Sequence, residues 1–206
     1  MIEESVILAV FNKGKFEIDD TIKTESSFDI DNVKTAFKVA DIVTRDDKSQ
    51  NKIKVKWSIK NSNVLTKNTG RVYLIVVDKQ IYKIGGSQCK GGIKSTIDSY
   101  INALTGHPSP NRYGIHLMIR EELNKNKKVE IYMIESPKIK VKLSGLFNNY
   151  NEKYISAYKE MESICLKEYK NRLGNFPIWN FQESNKSLPQ WVHTGRNKLS
   201  KKIKKA

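Results

Sequence analysis

Residues 71 to 87 read RVYLIVVDKQIYKIGGS, and the run from Val72 to Val77 is apolar at every position. A half-exposed strand alternates polar and apolar side chains. A strand that is apolar at every position must be covered on both faces, which places it in the middle of a sheet with layers packed on either side. Asp78, Lys79 and Gln80 read as a short polar turn, and residues 81 to 84 read as the returning strand of a hairpin. Two residues disturb this apolar pattern. Tyr73 is compatible with a core whose hydroxyl finds a partner. Lys83 either snorkels to water or is aimed at an anion. A three-residue loop would put Lys83 and Tyr73 on one face and a two-residue loop would oppose them, because a slip of one residue inverts a strand. Gly85 and Gly86 follow at once, and Gly91 and Gly92 shortly after. They fit either a backbone that approaches a phosphate or a plain strand-to-helix turn. No Walker pattern GxxxxGKS/T and no GxGxxG is present.

The rest of the chain divides around this hairpin. Residues 6 to 11 suggest a strand, 31 to 43 have helical spacing with an aspartate cap, 52 to 59 alternate as a strand with a basic face, and 61 to 70 form a polar loop. After Gly91-Gly92 a helix carries Ile93, Ile97, Tyr100, Ile101 and Leu104 on one face, and residues 106 to 110 break it. A second helix covers 113 to 124, a third strand 128 to 134, a basic connection 137 to 149, and a long helix 151 to 172, ended by Gly174 and Pro177. The middle of the chain therefore reads β-β-α-α-β-α. The predicted fold class is α+β, a small three-stranded sheet flanked by helices. The predicted organisation is an N-terminal extension over 1–69, a core over 70–180 and a basic tail over 181–206.

The formal net charge is +15 over 206 residues, and the pI is near 9.6. An excess of this size favours a polyanionic partner, most often nucleic acid. No acid follows Glu183 in the basic tail, the composition of an arm that adds sequence-independent attraction to phosphate, or of a merely solvated tail. Two cysteines without CxxC spacing and three scattered histidines argue against a zinc site or a disulfide framework. They suit a reducing cytoplasm. No apolar run is long enough for a transmembrane helix, and no secretion signal is read at the N-terminus. No membrane partner is expected.

The long helix holds one misplaced residue. At 100° per residue Ile155, Tyr158, Cys165, Leu166 and Tyr169 share a face, and Glu162 lies in the middle of it. A carboxylate in an apolar stripe needs a cation beside it. That cation is either a buried lysine or arginine, or a hard metal ion such as Mg²⁺, which takes few protein carboxylates.

Taken together, RVY at 71–73, KIG at 83–85, the helix and strand that follow, Glu162 on the next helix and NFPIWN at 175–180 resemble the GIY-YIG nuclease superfamily, over about residues 70 to 180. The small type II restriction endonucleases of that superfamily are the most similar, since a lysine can replace the second motif's tyrosine there. The resemblance implies a DNA endonuclease that uses Mg²⁺ or Mn²⁺ and works as a possible homodimer on double-stranded DNA, with the extension over 1–69 as a DNA-binding or dimer arm. Homing, phage or repair nucleases share the same core, and so would a non-catalytic DNA-binding module. It implies that Tyr73 helps take a proton from the attacking water, that Lys83, with Tyr82 beside it, orients or activates that water, that Tyr100 supports the phosphate or the nucleophile, that Glu162 binds the metal, and that Asn180 packs nearby. The superfamily's arginine on the first helix corresponds to Thr96, so either a cation comes from Lys94 or Lys90 in the glycine-rich stretch or from Arg120, or the domain is catalytically impaired. DNA contacts are expected at Lys90, Arg112, Lys138, Lys140, Arg196 and Lys198.

Overall fold

The computed structural model describes residues 10–12, 15–17, 28–45, 49, 51–105, 107–147, 150–184 and 187–203. The elements run β1 (Val10–Asn12), β2 (Lys15–Glu17), β3 (Phe37–Thr44), β4 (Ile53–Trp57), α1 (Ser62–Thr66), β5 (Arg71–Val77), β6 (Gln80–Ser87), α2 (Gly92–Ile101), α3 (Pro110–Asn124), β7 (Val129–Glu135), β8 (Lys138–Ser144), β9 (Tyr150–Ser156), α4 (Tyr158–Leu173) and α5 (Gln190–Ile203). Five strands form one antiparallel sheet in the order β4-β3-β7-β5-β6. All seven residues of β5 are buried, as its two-sided apolar run requires. Val72, Leu74 and Val76 pack with Leu166 of α4 and with Ile30. Tyr73, Ile75 and Val77 pack with Ile93 and Ile97 of α2 and Ile115 and Ile119 of α3. The α+β expectation is met. The sheet has five strands rather than three because the segment before the core adds β3 and β4 beside β7.

Four local expectations are corrected. The helix expected over 31–43 is a single 3₁₀ turn at Ile30–Asn32 followed by strand β3. A register shift between Lys38 and Ala40 makes Val39 an extra residue against β7. Val39 and Ala40 are therefore consecutive and both buried, a spacing that imitates a helix. The loop over 61–70 contains α1, started by Asn61, whose side chain accepts from the Asn63 N–H. The connection over 137–149 is largely β8, which pairs with β9, so the long helix begins only at Tyr158. Ile155 accordingly belongs to β9 and not to the helix face. Finally, the basic tail contains α5, which docks on α3 by seating buried Val192 over Gly114. The strand expected at 6–11 lies mostly outside the described residues. Its end falls in β1, which pairs with β2. Among the described residues no helix is long and apolar enough to cross a membrane.

Candidate active site

The β5–β6 hairpin settles its own register. Asp78 and Lys79 form a two-residue turn, both at positive φ (45° and 69°), the primed geometry that suits the twist of a tight hairpin. Such a loop alone would put Lys83 opposite Leu74, on the far face from Tyr73. A β-bulge intervenes: Val76 pairs with Ile81, but Ile75 pairs with Lys83 and Tyr73 with Gly85. The extra residue, Tyr82, flips the remainder of β6. Tyr73 and Lys83 thereby share one face of the sheet.

The glycines make room for the site's own side chains. A Cβ on Gly85 would overlap the ring of Tyr73, and a Cβ on Gly86 would overlap the carboxylate of Glu162. The sequence left Gly85 and Gly86 open between a phosphate approach and a plain turn. The structure assigns their space to Tyr73 on one face of β6 and Glu162 on the other. Because β6 is the sheet's edge strand, the two faces meet there.

Tyr73 lies against Tyr100 of α2, with their hydroxyls 2.7 Å apart. The Tyr100 carbonyl accepts from Nδ1 of the fully buried His116 at 2.9 Å, which ties α2 to α3 behind the pair. Burial, followed by the neighbouring Tyr100 and the charge of Glu162, pushes the Tyr73 phenol well above its ordinary range. Lys83 is buried, and desolvation draws its ammonium below its ordinary value near 10.5, against the pull of Glu183 and Glu162. Burial raises the Glu162 carboxyl, opposed by a hydrogen bond from the Gly86 N–H; the charge of Glu183 raises it further, while Lys83 and Lys159 draw it back down. The partner that the helix wheel demanded for Glu162 is thus Gly86 on the backbone, with lysine charge beyond it.

Asn180 holds the edge. Fully buried, it accepts from the Ile84 N–H at 2.9 Å and donates to the Ile84 carbonyl at 2.8 Å. One side-chain amide thus does for Ile84 what a neighbouring strand would do. The Trp179 N–H adds a bond to the Tyr82 carbonyl at 2.9 Å, and its indole meets the Tyr82 ring edge-on at 5.1 Å. Substituting Asn180→Leu leaves a donor and an acceptor buried without partners, which costs about 3 kcal/mol. The expected thermal unfolding midpoint falls by roughly 6–12 °C for a chain of this size. Asn180→Asp should lose at least as much at neutral pH, because its carboxylate buries a charge and sets a second acceptor against the Ile84 carbonyl, and calorimetry of the two variants measures both losses.

The structure therefore brings together Tyr73, Lys83, Tyr100, Glu162 and Asn180. It does not bring in Tyr82, whose ring packs on Trp179 and whose hydroxyl faces Lys127 and Glu122. Lys94 is ion-paired on the exposed side of α2 with Asp98 at 2.8 Å, and Arg120 lies beside His116 further along α3. Lys90 is exposed in the turn before α2. Thr96 is occupied, bonding to the Ser87 hydroxyl at 2.7 Å and donating to the Gly92 carbonyl at 3.2 Å. Guanidinium charge reaches this side from elsewhere. Arg112 at the first turn of α3 acts on Tyr100 and Cys89. Arg71, on the same face of β5 as Tyr73, is buried with Nη2 on the Lys67 and Thr69 carbonyls and Nη1 unfilled. Lys138 and Lys140 lie on the β8–β9 hairpin. Arg196 of α5 donates to the Pro108 carbonyl at 3.0 Å, while Lys198 is exposed. Sequence reasoning missed Glu183, whose charge bears on Lys83, Glu162, Tyr73 and Tyr100. Its signal was its place: three residues after Asn180 and the last acid of the chain.

No protein-family model and no curated protein matches this sequence. The fold is nonetheless shared with a solved structure, a mutant of bacteriophage T4 EndoII. The two chains are 18% identical with a TM-score of 0.50, and the match covers 74% of this chain and 98% of that one. A structure of restriction endonuclease HPY188I in complex with product DNA also matches, at 20% identity over 75% of this chain and 87% of that one, with a TM-score of 0.44. The class is therefore one of fold: an α+β chain built like T4 EndoII.

Proposed function

We propose that this chain is an intracellular, divalent-metal-dependent endonuclease of the GIY-YIG type that hydrolyses phosphodiester bonds in double-stranded DNA, in the manner of a restriction enzyme. The observation that carries the reading is the bulge at Tyr82, which sets Lys83 beside Tyr73 and leaves Glu162 just across the same edge strand. The EndoII-like fold and the net charge of +15 support it.

Burial keeps Tyr73 protonated at neutral pH, so its hydroxyl donates and relays rather than acting as a phenolate base. Lys83, drawn down by burial, is the group suited to accept a proton from water. Tyr100 fixes the phenol of Tyr73. Arg112 and Arg71 replace the helix arginine as guanidinium donors toward the phosphate. The metal would sit on Glu162, with Glu183 as a second carboxylate. Among the described residues no group of three or more His, Cys, Asp or Glu is placed to hold a metal, so an ion here would rest on one or two carboxylates and take its other ligands from water and phosphate, as Mg²⁺ can. When bound, such an ion neutralises charge on the phosphate and on the leaving oxygen. Residues 1–69 and 181–206 would add grip on DNA, and a palindromic target would call for a two-fold dimer.

Purified protein incubated with unmethylated plasmid and phage DNA should give discrete fragments with Mg²⁺ and none with chelator. A second reading, a DNA-binding module without catalysis, is favoured by the blocked position at Thr96. Intact DNA with every divalent ion, together with binding that weakens steeply as salt rises, would establish that reading instead.

A further inference from the structure

The β8–β9 hairpin pairs only with itself. Among the described residues, six of the eight large hydrophobic side chains left exposed lie on it: Ile139, Leu143, Leu146, Phe147, Tyr154 and Ile155. Leu146 and Phe147, in the turn beyond β8, are 97% and 86% exposed. An isolated two-stranded ribbon is marginal in water, and a bare apolar tip on one implies an occupant.

Charge identifies the occupant. The two strands carry Lys138, Lys140, Lys142 and Lys153 against the single acid Glu152. The register places Lys138, Lys140 and Lys142 on one face together with Tyr154 and Glu152, which is ion-paired with Lys140 at 2.5 Å, so that face keeps a positive excess. Two such arms would repel one another, whereas a polyanion would draw them in. The root of the arm is firm. The Ser156 hydroxyl bonds to that of Ser136 at 2.9 Å, the Ser136 N–H to the Gly70 carbonyl at 3.0 Å, and a Cβ on Gly70 would overlap Ser156. Glu162 follows on the helix that leaves β9. Seven residues of strand reach roughly 23 Å, about the span of six or seven base pairs. A Cβ on Gly70 and a Cβ on Gly86 would both meet Tyr158 at the start of α4, so the root of the arm lies beside the edge that carries Glu162.

Building on the endonuclease reading, we infer that the β8–β9 hairpin is a DNA-deforming arm: its lysines track phosphates while Leu146 and Phe147, at its tip, wedge into a base step about six or seven base pairs from the cleavage site. Apolar side chains inserted between bases unstack and kink a duplex, and a two-stranded ribbon fits a groove.

The test uses the full chain carrying Leu146→Ser and Phe147→Ser, two substrates and sedimentation. Cleavage of an intact duplex should slow about tenfold, because the unstacking that the wedge provides is lost. Cleavage of a duplex already loosened by one unpaired nucleotide should stay within about twofold of wild type, since that step no longer needs unstacking. The mass in sedimentation should not change. Unchanged cleavage of the intact duplex, or equal slowing on both substrates, overturns the wedge. A fall in mass assigns the tip to a second copy of the chain and overturns it too. Wild-type protein that cuts neither substrate sinks the endonuclease reading alone. The wedge is then decided by 2-aminopurine placed through a bound duplex: a fluorescence rise with wild type and none with the variant supports it, and no rise with either overturns it.

Discussion

Glu162→Gln should lower DNA cleavage by about a thousandfold, several kcal/mol of lost charge stabilisation, while leaving the protein folded. Glutamine keeps an oxygen where the carboxylate accepts from the Gly86 N–H, so the contact that seats α4 against β6 survives. What disappears is the negative charge that would hold a divalent ion. Duplex affinity should stay level or tighten slightly, because one repulsive charge leaves the DNA face. The pH dependence supplies an internal control. Burial raises the Glu162 pKa, so protons compete with metal on the acid side. Mg²⁺ should therefore raise the wild-type unfolding temperature more at pH 8 than at pH 5.5, and do nothing through this residue in the glutamine variant. Full cleavage by Glu162→Gln would remove Glu162 from the site.

The second large effect belongs to Lys83. Its folded pKa lies below the ordinary 10.5 because burial disfavours the ammonium. A base works when unprotonated, so cleavage should rise with pH from neutrality and level off once the amine is free, at a pH below 10.5. Tyr73, displaced upward, contributes no base over that window. Lys83→Arg keeps the charge but cannot give up its proton, and should lose roughly 10²–10⁴-fold in rate along with the pH slope. A Lys83→Arg enzyme with the wild-type profile would mean that Lys83 serves by charge alone.

The central strand was legible because nothing except burial on two faces accommodates the run from Val72 to Val77, and Glu162 was legible because an acid in an apolar stripe is costly. Register was not. Whether Tyr73 and Lys83 meet depends on one extra residue, Tyr82, and a bulge leaves no trace in composition. The same blindness produced the false helix at 31–43, where Val39 is the extra residue. Residues 138–144 alternate lysine with isoleucine, valine and leucine and carry the period of a strand, but their lysines drew the reading toward a loop. Glu183 escaped because it converges on the site through a turn anchored by Asn180, and convergence of that kind is set by tertiary packing rather than by spacing.

The clamp on β6 also sets a timetable. The hairpin that carries Tyr73 and Lys83 can close as soon as its own residues have been made, yet Asn180 joins Ile84 across a separation of 96 residues. At ordinary rates of synthesis that interval lasts roughly 5–20 s. Until the 177–183 turn emerges from the ribosome, Ile84 on the edge strand lacks its side-chain partner and Glu183 cannot be in position. The edge that carries Tyr73 and Lys83 would thus stay unsealed until a segment made well after it arrives.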